Sequence, residues 1–170
     1  MKQSVEFPAI LSLGSNLGDR EATIAAAIRD ISALAGVRVL RTSRLVETPA
    51  LKPEGVDHDA PAYLNVAVAI RTTLVPADLL AALNRIEADH GRVRDERWGD
   101  RTLDIDIVAM GSLVVSTPDL VIPHPRAYAR AFVLAPWLEI EPDAILPGHG
   151  RVDQLLADTG DSVSVYGASA

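Results

Sequence analysis

The sequence predicts an α+β protein: a ferredoxin-like β-α-β-β-α-β sandwich, with a mostly antiparallel sheet, helices packed on it and a C-terminal extension. Three observations carry this. Apolar runs with strand composition recur at residues 9–13, 37–46, 63–72 and 103–110. Two stretches with helical spacing lie between them, Ile24, Ile28, Ile31 and Leu34, then Leu79, Leu80, Leu83 and Ile86. No internal repeat, low-complexity tract or linker breaks the order. The 170 residues therefore read as one domain over 1–160, with a loose tail at 161–170.

The first run, 9–13, ends at Gly14 and has the length and composition of a buried strand. Gly14-Ser15-Asn16-Leu17-Gly18-Asp19 is turn chemistry, and Asp19 is a good N-cap for the helix that follows. Gly36 stops that helix. Residues 37–46 are rich in β-branched side chains and read as one strand. Residues 48–62 hold three prolines and a glycine, a long loop of the kind that carries function. After the strand at 63–72, Pro76 suits the first turn of the second helix, which Gly91 closes. The strand at 103–110 leads through Gly111-Ser112 to a short return at 113–115, then to an extended stretch at 121–125. Residues 126–138 read as helical in part, with Pro136 expected to end or kink the helix, and 151–158 as a short last helix.

Composition narrows the function. Hydrophobic residues are 48% and charged residues 23%, ordinary globular usage in which a chain of this length buries roughly 70% of its surface. There is no cysteine, which excludes a disulfide scaffold, a thiolate metal centre and a cysteine nucleophile. No apolar run approaches the ~18 residues of a membrane span, and the N-terminus lacks a signal-peptide core, so a soluble cytoplasmic chain is expected. A net charge of −7 and only 4% aromatics speak against nucleic acid and anionic membranes as partners. Lysine occurs only at Lys2 and Lys52, so 14 of the 16 Lys and Arg residues are arginine. Four of these, Arg92, Arg94, Arg97 and Arg101, fall within residues 92–101. Guanidinium groups suit phosphate bidentately. The competing reading is a solvated charged loop, since Asp95, Glu96 and Asp100 leave the stretch a net charge of +1.

Asp104-Ile105-Asp106 is the sharpest local signal. Residues two apart on a strand share a face, so both carboxylates project together while Ile105 and Ile107 face the core. Like charges this close need a cation between them or a proton on one. Mg²⁺ prefers one or two carboxylates plus substrate phosphates. The alternative is a half-exposed strand with acidic solvent positions. The glycines at 14 and 18 match neither the phosphate-loop nor the dinucleotide pattern. They read as a tight turn in which Gly14 can bring its backbone close to a ligand. His58, His90, His124 and His149 are far apart in the chain. His124, set between prolines and followed by Arg126 and Arg130, suits either a phosphate contact or a rigid loop. Trp98 is either a lid over a planar ligand or an anchor on the core, and Trp137 reads as core. Tyr63 and Asn65 share a strand face able to line a pocket, and Glu87 sits on the helix before the arginine-rich loop.

Together these stretches form a pattern. They are Leu13-Gly14-Ser15-Asn16-Leu17-Gly18, Glu47-Thr48-Pro49, Tyr63-Leu64-Asn65 and Gly91-Arg92-Val93-Arg94. Downstream come Arg97-Trp98-Gly99-Asp100-Arg101-Thr102-Leu103-Asp104-Ile105-Asp106, Ile122-Pro123-His124-Pro125-Arg126 and Arg130-Ala131-Phe132-Val133-Leu134. Over residues 8–157 the chain resembles the 6-hydroxymethyl-7,8-dihydropterin pyrophosphokinase family of the folate pathway. The resemblance implies a ferredoxin-like fold, in agreement with the element order. It also implies transfer of pyrophosphate from MgATP to the pterin hydroxymethyl group, with release of AMP, by a monomer. Asp104 and Asp106 would hold two Mg²⁺ ions, and Arg92 and Arg101 would serve turnover. Asn84, Glu87, Arg94, Arg97, Arg101, Ile107, His124 and Arg130 fall at ATP-binding positions. Gly14, Thr48, Pro49, Leu51, Tyr63, Asn65, Trp98 and Phe132 fall at pterin-binding positions, with the ring stacked between Trp98 and Phe132. Asp100 departs from the family's usual proline, which loosens the loop and adds negative charge beside Arg101. The 48–62 loop is somewhat long for the family.

Other readings of the fold fare worse. An RNA-recognition module needs aromatics on its central strands and a basic face, which residues 103–110 and the net charge do not offer. A ligand-sensing regulatory domain has no need of paired aspartates beside four arginines. An acyl-phosphate hydrolase would release phosphate without AMP.

Overall fold

The computed structural model describes residues 4–52, 55–57, 62–91 and 103–167. The first half of the chain forms β1 (Phe7–Ser15), α1 (Arg20–Ser32), β2 (Val37–Thr42), β3 (Val46–Thr48), β4 (Ala50–Lys52), β5 (Gly55–Asp57), β6 (Tyr63–Thr72) and α2 (Pro76–Asp89). The second half forms β7 (Asp104–Met110), β8 (Val115–Ser116), β9 (Val121–Ile122), a 3-10 turn (Ala127–Ala129), α3 (Ala131–Ile140), β10 (Ile145–Leu146), β11 (Gly150–Arg151), α4 (Val152–Thr159) and β12 (Ser164–Val165). The main sheet runs β12-β3-β6-β1-β7, with β2 also paired to β6, and its pairings are antiparallel. This is the split βαβ arrangement that the element order predicts.

The sheet is covered on both faces, and that explains why β6 is buried through residues 64–70. On one face Leu64, Val66, Val68 and Ile70 join Leu11 and Leu13 of β1 and Ile105 and Ile107 of β7 beneath α1 and α2. On the other, Ala67, Ala69, Ile10, Val108 and Ala109 pack with Trp137 of α3 and Val152 of α4. Alanines on this second face leave room for the Trp137 ring, whose Nε1 donates to Glu141 at 3.0 Å. Each large apolar side chain buried this way contributes about 1.5–3 kcal/mol.

Both helix starts fall as expected. Asp19 caps α1 by accepting from the Ala22 amide at 3.1 Å. Pro76 opens α2. Gly36 does not itself stop α1, which ends at Ser32 with Ala33 as its C-cap; it makes the turn into β2 at φ +81°, where a Cβ would lie 2.6 Å from Thr73 Oγ1.

Four further local expectations are corrected. The run at 37–46 is not one strand, because β2 and β3 pair with different parts of β6. Between them, Ser43 bridges to Ala67: the Ser43 amide donates to the Ala67 carbonyl, and the Ala67 amide donates to Ser43 Oγ, each at 2.9 Å. The 48–62 loop contains the β4–β5 ribbon. Pro136 does not end α3, which runs on to Ile140 because six of its residues are buried and hold it in place. The segment from 161, expected to be loose, carries β12, whose backbone pairs with the outer edge of β3.

Glu87 shows how the sheet is held at the site. It is 2% exposed and accepts the Ile105 amide at 3.0 Å, closing the outer edge of β7. Glu87→Ala should therefore lower stability by about 1–3 kcal/mol by orphaning a buried amide. The measurement is the denaturant midpoint at unchanged m-value, and an unshifted midpoint would remove this bond from the account.

Candidate active site

The site begins with register. At the C-terminal end of β1, Gly14 lies opposite Asn65 of β6 on one side and Asp104 of β7 on the other, while Ser12 lies opposite Asp106. Directly opposed residues share a face. Ser12, Gly14, Asn65, Asp104 and Asp106 therefore stand on the face that α3 covers further along β1. The β1–β7 register shifts between the Ile10 and Leu11 pairs, leaving Val108 as an extra residue. This bulge lets Asp106 and Ala109, three residues apart, share that face.

Toward β6 the site is a polar recess. A Cβ on Gly14 would sit 2.7 Å from Asn65 Oδ1 and 3.5 Å from Tyr63 Cδ1, so glycine leaves the space those side chains use. Asn65 is buried and donates through Nδ2 to Thr48 Oγ1 at 3.2 Å. Thr48 is paired with Tyr63 across β3 and β6. Four expected pterin positions, Gly14, Thr48, Tyr63 and Asn65, are thus brought together. Pro49 follows at the exposed end of β3. Leu51 lies on β4, and its side chain falls outside the described part of the chain.

Toward β7 the site is charged. His124 Nε2 lies 3.9 Å from Asp106 Oδ2. The His124 amide donates to the Val108 carbonyl at 2.9 Å, so the bulge also anchors the histidine. His124 Nδ1 accepts the Arg126 amide at 3.2 Å, an arrangement that assigns the proton of the neutral ring to Nε2, facing Asp106. Burial holds His124 below the ordinary imidazole pKa; Asp106 opposes this, and Arg130 and Arg126 add to it. Arg130, at the start of α3, sits with its guanidinium carbon 5.5 Å from the Phe132 ring centroid. Burial lowers the Arg130 pKa against the pull of Asp106 and Asp104.

The carboxylate pair fits a hard divalent cation. Both groups offer oxygen donors from one face, beside two residues, Gly14 and Ser12, too small to fill the space. No group of three or more His, Asp or Glu side chains placed to hold a metal occurs among the described residues. Further ligands would have to come from phosphate and water, as suits Mg²⁺.

The remaining expected residues divide. Glu87 lies on the α1–α2 side of the sheet as a support of β7, and Asn84 sits one turn before it on the same helical side. Ile107 is in the core, so its side chain is committed to packing. Arg92, Arg94, Arg97, Trp98 and Arg101 lie outside the described residues. Two residues escaped the sequence reading. Ser12 was signalled by its alternation with Gly14, and Arg20 by a cation at the first position of a helix, where the dipole disfavours one.

An α+β sandwich whose sheet end gathers carboxylates, a histidine and an arginine beside a polar recess has the groups to hold a phosphate substrate together with a divalent cation. Comparison with known proteins narrows the class. Residues 10–142 match the family model described as 7,8-dihydro-6-hydroxymethylpterin-pyrophosphokinase (HPPK). The chain is 46% identical over 140 residues to the 2-amino-4-hydroxy-6-hydroxymethyldihydropteridine pyrophosphokinase of Methylorubrum extorquens, covering 82% of this chain and 86% of that one. It is 42% identical over 147 residues to the enzyme of the same name from Pseudomonas aeruginosa, covering 86% and 88%. Among solved structures, wild-type Plasmodium falciparum HPPK-DHPS with pteroate shares the fold at TM-score 0.70 and 14% identity. That match covers 93% of this chain and 43% of the Plasmodium chain, so this chain spans less than half its length. The chain belongs to the 7,8-dihydro-6-hydroxymethylpterin pyrophosphokinase family, and its activity is that of a pyrophosphokinase in folate biosynthesis.

The His124 environment makes a pH prediction. Its folded pKa lies below the ordinary 6.5. As pH falls through about 6.5, the unfolded chain takes up the proton first, so stability declines until the folded value is passed. Above about 6.5 this contribution is level. His124→Gln should flatten the decline in denaturation series between about pH 5 and 7.5, and an unchanged slope would assign it to another group.

Proposed function

We propose that this end of the sheet transfers pyrophosphate from MgATP to 6-hydroxymethyl-7,8-dihydropterin, giving the pterin diphosphate and AMP. The supporting observation is the double pairing of Gly14, with Asn65 on one side and Asp104 on the other. It sets a polar recess beside a charged one, one strand spacing to either side of β1. Thr48, Tyr63 and Asn65 take the pterin edge, and Pro49 and Leu51 are read as further pterin contacts. Phe132 and Trp98 stack on the ring.

ATP lies along β7 in this reading. Arg94, Arg97, Arg101, His124 and Arg130 take up phosphate charge, Ile107 borders the nucleotide through the backbone of β7, and Asn84 and Glu87 stand behind that strand on α2, Glu87 acting through the Ile105 amide. Asp104 and Asp106 would hold Mg²⁺, two ions in number, which would supply neutralisation of the triphosphate charge and a lowered pKa for a nearby hydroxyl. The hydroxymethyl oxygen attacks the β-phosphorus. The bond from that phosphorus to the oxygen bridging it to the α-phosphate breaks, AMP leaves and the hydroxyl proton passes to solvent. No side chain has to act as a general base, because positioning and charge neutralisation dominate such transfers. Neutral His124 presents Nε2–H without adding a competing cation beside Asp106. Arg92 and Arg101 serve turnover.

The domain read over 1–160, with β12 added at its sheet edge, acts as a monomer in this reading, and the net charge of −7 speaks against nucleic acid and anionic membranes as partners. No helix among the described residues is long and apolar enough to cross a membrane. We place the reaction in the cytoplasm, where ATP is supplied.

Asp104→Asn and Asp106→Asn should each lower turnover by about two orders of magnitude, the scale of losing an electrostatic element of a site. Near-normal turnover of both at low Mg²⁺, with circular dichroism unchanged, would sink the metal assignment. ATP labelled on the γ-phosphate should carry its label into a pterin diphosphate, with AMP formed one for one. Labelled pterin monophosphate with ADP would make the chain an ordinary kinase. Arg92→Lys and Arg101→Lys should lose mainly turnover, and Arg94→Lys mainly ATP affinity, because lysine keeps the charge and loses the planar fork. Equal affinity losses at all three would reduce the stretch to a generic basic patch.

A further inference from the structure

Arg20 stands where helix electrostatics argue against an arginine. It is the first residue of α1, directly after the Asp19 cap, and the helix dipole opposes a cation there. Its side chain reaches instead to the ends of two strands. Nη1 donates to the Ala62 carbonyl at 2.8 Å and pairs with Glu47 Oε2 at 2.8 Å. The guanidinium carbon lies 5.6 Å from the centroid of the Tyr166 ring, within cation–π reach. Ala62 directly precedes Tyr63, and Glu47 directly precedes Thr48. Tyr63 and Thr48 are themselves the last pair of the β3–β6 ladder. Arg20 thus grips both segments one residue short of the two side chains that flank the polar recess. It does so from the opposite side of the sheet, because Glu47 and Thr48 are adjacent on a strand and face opposite ways.

β3 needs such support. It is three residues long and fully buries only Val46. Its outer edge is covered by β12, with Ser164 opposite Glu47 and Val165 opposite Val46. The Tyr166 amide then donates to the Leu45 carbonyl at 2.8 Å, holding the ring under Arg20. This last segment lies beyond residues 10–142, the part matched by the family model.

We infer that Arg20, seated on Tyr166, is a positioning residue for pterin: it fixes the spacing of Thr48 and Tyr63 from behind the sheet. The inference rests on the assignment of pterin to that recess. Its effect is one-sided. The carboxylates on β7 lie across β1 from Arg20's contacts, so loosening β3 weakens pterin binding and spares ATP.

Calorimetric titration of the full chain tests this, with pterin added in the presence of a saturating non-hydrolysable MgATP analogue, and the analogue titrated separately. Arg20→Gln should weaken pterin binding about tenfold, equivalent to about 1.4 kcal/mol, and leave analogue affinity within about twofold. At saturating pterin, kcat should stay within about twofold of the parent chain, while KM for pterin follows the binding constant. Arg20→Lys retains a charge for Glu47 and should recover part of the loss. Tyr166→Leu touches nothing in the recess and should shift pterin affinity the same way by about threefold, the scale of an exposed cation–π contact. If Arg20→Gln fails to fold, Tyr166→Leu decides the matter by itself. Equal losses of pterin and analogue, or unchanged pterin affinity in the folded variants, overturn the inference. A parent chain that binds no pterin overturns the pterin assignment together with it. A parent chain that binds pterin, with variants that bind it equally well, overturns this inference alone.

Discussion

The site depends on the absence of a side chain at Gly14. A Cβ at that point of β1 would lie 2.7 Å from Oδ1 of the buried Asn65, so the Asn65 side chain would have to leave the position it holds. With glycine there, the two neighbouring strands bring unlike groups to one level of the sheet: an amide and a hydroxyl from β6 and β3, and a carboxylate from β7. Strand spacing then sets the reach between them. Two steps of about 4.8 Å put the β6 and β7 groups about 10 Å apart, a distance that a pterin hydroxymethyl and a polyphosphate can share end to end.

The second constraint is that one face of the sheet does two jobs. Near its middle, Ile10, Ala67, Ala69 and Ala109 are packed under α3 and α4. Toward its end the same face carries Ser12, Gly14, Asn65, Asp104 and Asp106. The bulge at Val108 reconciles the two, since it offsets the alternation of β7 between its packed and charged halves. The site is therefore rigid where it meets the core, and α3 begins at the boundary with Arg130 and Phe132 in place.

Electrostatics follow from this placement. A chain of net charge −7 handles an anionic substrate only if its cations are concentrated. Arg130 and His124 stand beside Asp106 in surroundings dry enough to lower both their pKa values. Keeping His124 neutral leaves Arg130 and Arg126 as the fixed positive charges there and His124 as a hydrogen-bond donor. The carboxylates, placed beside small residues, offer oxygen donors of the kind a hard cation prefers.

Much of this was legible in the chain itself. The order of elements, the cap at Asp19, the helix start at Pro76, the core role of Trp137 and the shared face of Asp104 and Asp106 all follow from local chemistry and strand alternation. The division of 37–46 into two strands was not legible, because a β-branched run does not reveal that Ser43 turns to bridge Ala67. Nor was the continuation of α3 through Pro136, where burial outweighs a lost amide bond. The sequence determined which residue types are available at each turn and strand end. Only the tertiary structure decided which of them meet. The contacts of Gly14 with Asn65, His124 with Asp106, and Arg20 with Ala62 and Tyr166 join residues far apart in the chain. Register and packing fix those distances, and no local periodicity encodes them.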